Sequence, residues 1–290
     1  MGSQFLGLNP GSKGQEKAKT VIIPVPFDRT VCYQAGARNG PEHIIAASPH
    51  MEFYDEEMRF SPVDFGIFTQ DPVEPILPPE KTVEQVKERV SAVLDLKKLP
   101  VVIGGEHSIT IGAVEAALDH FPDLVVIQFD AHTDLREEYQ GSRYSHACTM
   151  RRIWPKAHVV QLGIRSCSAR EIEFLESQNG PMPFWAQDCI FHKESIIKKL
   201  IERIDGKPVY VTIDLDCLDP SIMPAVSTPE PGGLGWYDML FYLKALAKEH
   251  VIGFDLVELS PIPGLYAADF TAARLLYKFL AYLLSKNLKK

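Results

Sequence analysis

Imidazoles and carboxylates crowd four short stretches of this sequence. GGEHS carries His107, FDAHTD carries Asp130, His132 and Asp134, DLDCLDP carries Asp214 and Asp216, and VELSP carries Glu258. Each lies at the end of a short apolar run, the place where open α/β sheets bind ligands. Residues two apart on extended chain point to the same side, so Asp130, His132 and Asp134 are expected to present three donors to one pocket, and Asp214 and Asp216 two more. Four carboxylates sharing a cavity repel one another and shift towards protonation unless cations neutralise them. Two divalent ions balance that charge. Oxygen donors with two imidazoles and no thiolate suit a hard ion such as Mn²⁺ better than a structural zinc. A water bridging two such ions loses a proton near neutral pH and becomes a hydroxide nucleophile, which makes hydrolysis the natural reaction class. Singly, a DxD or a lone His is a common turn, cap or core residue; the conjunction is what carries the reading. His43, His50, His120, His158, His192 and His250 lack such company and are assigned to structure or surface.

The elements that must hold these groups follow from the hydrophobic pattern. Val- and Ile-rich runs at Val21–Phe27, Val63–Phe68, Val101–Ile103, Leu124–Asp130, His158–Ile164, Pro183–Ala186, Val209–Asp214 and Val251–Val257 predict eight strands. Segments of helical periodicity alternate with them: Thr82–Lys97, Ser108–His120, Ser145–Trp154, Ser168–Ser177, Glu194–Ile204, Tyr237–Glu249 and Asp269–Ser285. That alternation predicts an α/β fold of parallel strands and crossover helices. In the last segment Phe270, Leu275, Phe279, Leu280 and Leu283 recur at helical spacing and are read as core packing. The start up to Gly14 reads as a frayed terminus and Asp71–Glu80 as an exposed connection. The long loop Cys217–Gly235 follows an acidic strand end and is expected to line the site.

Composition narrows the partners. With 46% hydrophobic and 23% charged residues in 290, an ordinary globular core is expected, and a net charge of -8 disfavours nucleic acid or an anionic membrane surface. Five widely spaced cysteines without a CxxC pair suggest neither disulfides nor a thiolate zinc site, and are read as buried or inert thiols. No signal-like start or long apolar run occurs, so a cytoplasmic location is expected. Neither GxGxxG nor GxxxxGK occurs, against a nucleotide-binding module.

The motifs, taken in order, resemble the ureohydrolases, the family of arginases, agmatinases and formimidoylglutamases. GARNGPEHI, GGEHS, DAHTD, SHACTMRR, LGIRS, DLDCLDP, STPEPGG and VELSP extend that resemblance over nearly the whole chain. It implies one domain over residues 1–290, a three-layer α/β/α sandwich with a mostly parallel eight-stranded sheet, and assembly as a trimer or hexamer. It also implies two Mn²⁺, one held by His107, Asp130, Asp134 and Asp214, the other by Asp130, His132, Asp214 and Asp216. Catalytic roles follow for three residues: Glu258 receives the guanidinium, His146 assists proton transfer, and Asp134 helps protonate the leaving amine. The bridging hydroxide would attack the guanidinium carbon and release urea. A single-zinc deacetylase and a catalytically silent regulatory subunit are the alternatives, and the intact set of six ligands argues against both.

Within the family, agmatine is the expected substrate. Arginases typically carry an asparagine two residues beyond DAHxD that reads the substrate carboxylate; Arg136 stands here and is expected to face solvent or a neighbouring Glu137 or Glu138. The loop MPAVSTPEPGG departs from the usual agmatinase pattern at Ala225, Val226 and Ser227, which keeps aminopropylagmatine, guanidinobutyrate, guanidine and arginine as alternatives.

Overall fold

Runs of β-branched residues become the strands of one sheet. The computed structural model describes residues 4–8, 14–177 and 180–289. Its strands are β1 (Thr20–Val25), β2 (Ile67–Thr69), β3 (Leu99–Gly104), β4 (Val125–Phe129), β5 (His158–Ile164), β6 (Met182–Trp185), β7 (Val209–Asp214) and β8 (Val251–Val257). All pair in parallel, in the order β2-β1-β3-β8-β7-β4-β5-β6. Parallel neighbours cannot be joined by tight hairpins, so crossovers are required. The described helices are α1 (Gly40–Ala47), α2 (Pro79–Asp95), α3 (Thr110–His120), α4 (Thr149–Ile153), α5 (Ala169–Ser177), α6 (Ala186–Phe191), α7 (Lys193–Ile204), α8 (Trp236–Leu246) and α9 (Tyr266–Leu284). None of them is long and apolar enough to cross a membrane.

Strand alternation divides the core into two apolar layers. Val101 and Ile103 of β3, with Val209, Val211 and Ile213 of β7, pack with Ile44 of α1, Leu200 of α7, Leu243 of α8 and Phe279 of α9. Val102 and Tyr210, from the other face of the same strands, pack with Val90 of α2 and Ala117 of α3. The result is the three-layer arrangement with an eight-stranded, wholly parallel sheet.

Several elements differ from the sequence reading. Val63–Phe68 is mostly a 3₁₀ turn, Pro62–Phe65, and only Ile67–Thr69 pairs, because Gly66 at φ 80° redirects the chain just before it. Helix α1 was not among the expected helices; it opens on Gly-Pro, and proline in a first helical turn loses no hydrogen bond and presets φ. Helix α6 begins where a strand was expected to end. Near the start, Phe5 and Leu6 are buried in a short turn, against the expectation of a frayed end; residues 1–3 and 9–13 lie outside the described residues. Phe270, assigned to the core, is instead substantially exposed.

Sheet order gathers the chemically active chain ends. β3, β8, β7 and β4 are adjacent, so the four motif-bearing ends emerge side by side although chain order scatters them. Gly105 permits the first of these turns. Its N–H donates to Val25 O at 2.9 Å and its carbonyl accepts from Glu258 N at 2.8 Å, and a Cβ there would lie 1.9 Å from Phe27 O. Gly105→Ala is therefore expected to cost about 3 kcal/mol by overpacking, whereas Gly14→Ala, with nothing within 4 Å of its added Cβ, should stay within about 0.5 kcal/mol. Urea titrations of the two variants measure this.

Candidate metal centre and its cavity

At the exit of β3, His107 is buried with its Nδ1 turned into a ring of acid. Nδ1 lies 3.1 Å from Asp130 Oδ2, 3.1 Å from Asp134 Oδ2 and 3.3 Å from Asp214 Oδ2, yet makes no hydrogen bond. Its other ring nitrogen pairs with Thr212 Oγ1 at 2.9 Å. A buried nitrogen facing three carboxylate oxygens, hydrogen-bonded to none of them, is the donor arrangement a cation fills. Beside it, His132 Nδ1 lies 2.9 Å from Asp216 Oδ2 and 3.6 Å from Asp130 Oδ1. Ligand atoms of His107, Asp130 and Asp134 lie within 4.8 Å of one another, as do those of Asp130, His132 and Asp216. Asp130 belongs to both groups; Asp214 stands beside the first, its Oδ1 accepting from Asp216 N at 2.9 Å.

The route by which these groups converge differs from the expected strand alternation. β4 ends at Phe129, so Asp130, His132 and Asp134 all lie beyond it. Asp134 faces His107 from a left-handed backbone, φ 52°, and Asp216 sits in the 3₁₀ turn Leu215–Cys217 rather than on β7. Glu258 also has a positive φ, 68°. A non-glycine residue in this region costs on the order of 1 kcal/mol or more and persists only where its surroundings impose it.

Charge explains the electrostatics. Burial, then the repulsion of Asp130, pushes Asp134 up to about 7; burial followed by neighbouring carboxylates also raises Asp214 and Asp216. Burial would keep His107 and His132 neutral, but the surrounding carboxylates overcome it, raising His107 well above its ordinary value and His132 to about 12. Burial works against charge on Asp130 too, and the two imidazoles more than offset it. The carboxylates thus favour positive charge on both imidazoles.

A row of polar side chains supports the centre from within the sheet. Gln161, Gln128, Thr212 and Asp255 are neighbours in register across β5, β4, β7 and β8. Gln161 Nε2 donates to Gln128 Oε1, Gln128 Nε2 donates to Asp130 Oδ2 at 2.6 Å, and Thr212 holds His107. Thr110 and Tyr210 donate to Asp255 Oδ2 at 3.0 and 3.1 Å. The sequence reading missed this row. Its signal was available, a polar residue inside each largely apolar strand, because a buried polar group must be paired.

Above the centre opens a cavity of about 250 Å³, lined in part by Glu258, His146, Ser227, Thr228, Arg136 and Tyr139. Glu258 is buried; Oε1 accepts from His107 N at 2.7 Å and Oε2 from the Ser227 hydroxyl at 3.1 Å. Among the described residues no basic side chain forms an ion pair with it, and burial, then Glu106, pushes it up to about 8. His146 lies in a 3₁₀ turn, His146–Cys148, where a continuous helix was expected. As expected, the loop after Cys217 lines the cavity. Arg165 holds it, donating from Nη2 to Asp216 O at 2.7 Å and to Glu230 O at 2.6 Å. The LGIRS motif gave no hint of that clamp.

Arg136 and two of the cysteines stand at the cavity wall. Arg136 is exposed, as expected, and its guanidinium stacks 4.7 Å above the Tyr139 ring and lines the cavity, while Glu137 is taken by Arg143, Arg151 and Arg152. Cys148, Cys189 and Cys217 are buried, but Cys32 and Cys167 are exposed at the cavity wall. The histidines assigned to structure include His43, paired with Asp269, and His120, bonded to Ala116 O and Asp95.

A family model described as the arginase family matches residues 18–282. The chain belongs to the arginase family. Its relatives include the N(1)-aminopropylagmatine ureohydrolase of Synechocystis, 38% identical over 91% of this chain and 89% of that protein. The agmatinase of Bacillus subtilis is 32% identical over 85% of each chain. The solved agmatine ureohydrolase of Thermoplasma volcanium superposes with a TM-score of 0.88 at 34% identity, covering 100% of this chain and 97% of that one. The protein is an arginase-family ureohydrolase of guanidino compounds, and its His/Asp clusters are metal-binding groups.

Linkage gives this ureohydrolase a testable pH dependence. Asp134, raised to about 7 in the folded metal-free protein against 3.8 ordinarily, binds more protons folded than unfolded between those values. The contribution of this group to stability therefore falls as pH rises from about 4 to about 7. Metal needs the deprotonated ligand, so the rise in Tm produced by added Mn²⁺ should grow across the same window. Thermal melts with Mn²⁺ and with a chelator measure it; a metal-induced rise that shrinks with increasing pH would contradict the assignment.

Proposed function

We propose that the enzyme hydrolyses the guanidino group of agmatine, or of its aminopropyl derivative, releasing urea and the corresponding amine, with two Mn²⁺ per chain. The observation that carries this reading is Glu258, a buried carboxylate without a cationic partner among the described residues, facing a cavity floored by the two His/Asp groups. A carboxylate so placed pairs with a planar guanidinium through parallel charge-assisted hydrogen bonds. Ser227 and the His107 backbone N–H hold both of its oxygens and so fix its plane.

His107, Asp130, Asp134 and Asp214 would hold one ion, and Asp130, His132, Asp214 and Asp216 the other. Bound there, the ions supply Lewis acidity that acidifies water and charge that balances the carboxylates. The chain's own residues do the rest. Glu258 orients the guanidinium, Asp134 passes a proton to the departing nitrogen, and His146 exchanges protons at the cavity wall. Burial, followed by repulsion from His107 and His132, lowers His146 to about 4, which leaves it neutral and able to accept.

The agmatine skeleton is favoured by the relatives and by the absence of an arginase-type asparagine at position 136. Arg136 favours a second reading, because an exposed guanidinium on the cavity wall suits a guanidino acid whose far end is a carboxylate. Urea release from agmatine, aminopropylagmatine, guanidinobutyrate and arginine separates the two. Under the first reading, kcat/KM for agmatine or its aminopropyl derivative exceeds that for arginine by about 10³, the factor expected when a buried charge lacks its partner. A preference for guanidinobutyrate that Arg136→Gln abolishes would establish the second.

Variants test the residue roles. Glu258→Gln should lower kcat/KM on every guanidino compound alike, and His146→Asn should lower kcat by about 10² with metal content unchanged. Metal analysis should give about two Mn²⁺ per chain; Asp130→Asn should disturb both sites and His107→Asn mainly one. One ion at saturation would defeat the two-metal reading.

A further inference from the structure

His146 is held by a hydroxyl that a carboxylate holds in turn. Thr30 Oγ1 lies 2.8 Å from Glu106 Oε1, accepts the His146 backbone N–H at 3.0 Å, and lies 3.1 Å from His146 Nδ1. Glu106 is wholly buried, and all its partners are neutral donors. Oε2 accepts the N–H groups of Arg29 and Thr30, and Oε1 accepts the Ser108 hydroxyl at 2.6 Å as well as that of Thr30. A threonine hydroxyl has a single hydrogen and two lone pairs. With that hydrogen directed to Glu106, only lone pairs remain for His146, and Nδ1 must carry the proton of this contact.

We propose that Thr30 and Glu106 are positioning residues that lock His146 as its Nδ1–H tautomer, leaving Nε2 as the nitrogen that exchanges protons at the cavity. Nothing in the GGEHS motif's ligand role requires the acid at 106, and this assigns it one. Proton gain or loss at Nε2 leaves the Nδ1–H to Thr30 bond in place, so the ring need not turn during the reaction. Ser145 Oγ, 3.3 Å from Nδ1, is the other hydroxyl within reach. The catalytic consequence rests on the proton-transfer role proposed for His146; the tautomer does not.

The experiment is a long-range ¹H–¹⁵N correlation spectrum of histidine-labelled enzyme loaded with diamagnetic Zn²⁺, the His146 ring being identified by its absence in His146→Asn. In the wild type, Nδ1 should show the protonated-type shift and Nε2 the unprotonated one. Thr30→Val should lose that preference, and its kcat should fall by about 10- to 100-fold, the range for removing a partner that orients a site histidine, with KM and metal content little changed. Thr30→Ser keeps the hydroxyl and should retain both the wild-type spectrum and most of kcat. A wild-type spectrum with the hydrogen on Nε2 overturns the proposal, as does a Thr30→Val spectrum identical to the wild type. Should Thr30→Val fail to fold, loss of the Nδ1 hydrogen in Thr30→Ser overturns it independently. A changed tautomer with unchanged kcat upholds the lock and removes His146 from the reaction instead, which separates failure of this proposal from failure of the functional reading.

Discussion

Negative charge gathered out of water is the constraint on which this structure depends. Asp130, Asp134, Asp214 and Asp216 are each nine-tenths or more buried within a few ångströms of one another. Such a group is untenable unless positive charge meets it, so the surrounding sequence supplies two imidazoles, and metal fits where their protons would otherwise sit. Holding the cluster together takes backbone distortion at Asp134 and Glu258, a glycine at 105 that lets β1 and β3 close, and Arg165 fastening the loop that follows Cys217. Each of these is unfavourable or demanding alone. They coexist because the sheet beneath them carries an apolar layer on each face.

Much of this was legible in the sequence because the informative residues sit where two signals overlap. Val- and Ile-rich runs fix where strands occur, and acid or imidazole just beyond a run marks its ligand-facing end; His107, Asp130, Asp214 and Glu258 were found this way. The motif series adds the family, which composition and periodicity alone could not give. Less legible were elements whose signals conflict. Gly-Pro at the head of α1 looks like a loop, and Val63–Phe68 has a strand's composition but is bent by Pro62 and Gly66.

What sequence could not reveal was mostly pairing. A polar residue shows in each strand's sequence, but strand order decides that Gln161, Gln128, Thr212 and Asp255 become neighbours. Arg165 makes its bonds to carbonyls, which carry no residue identity, so no complementary acid pointed to it. Arg136 stays exposed without an acidic partner for a related reason. Two acids follow it in sequence, but Arg143, Arg151 and Arg152 converge on Glu137 from elsewhere in the chain, and the Tyr139 ring was left as its platform.

The in-register polar row has a consequence for how the molecule is made. Side chains alternate along a strand, so sliding β7 by one residue past its neighbours would send Thr212 to the opposite layer and put Tyr210 or Val211 out of place as well. His107 would lose its support, and Asp214 would leave the acidic ring. A mispaired sheet, however well packed its valines and isoleucines, therefore has no complete nest for a cation. Ion capture in this protein then works as proofreading: it rewards the one alignment of the middle strands and withholds its stabilisation from chains that have closed one step astray.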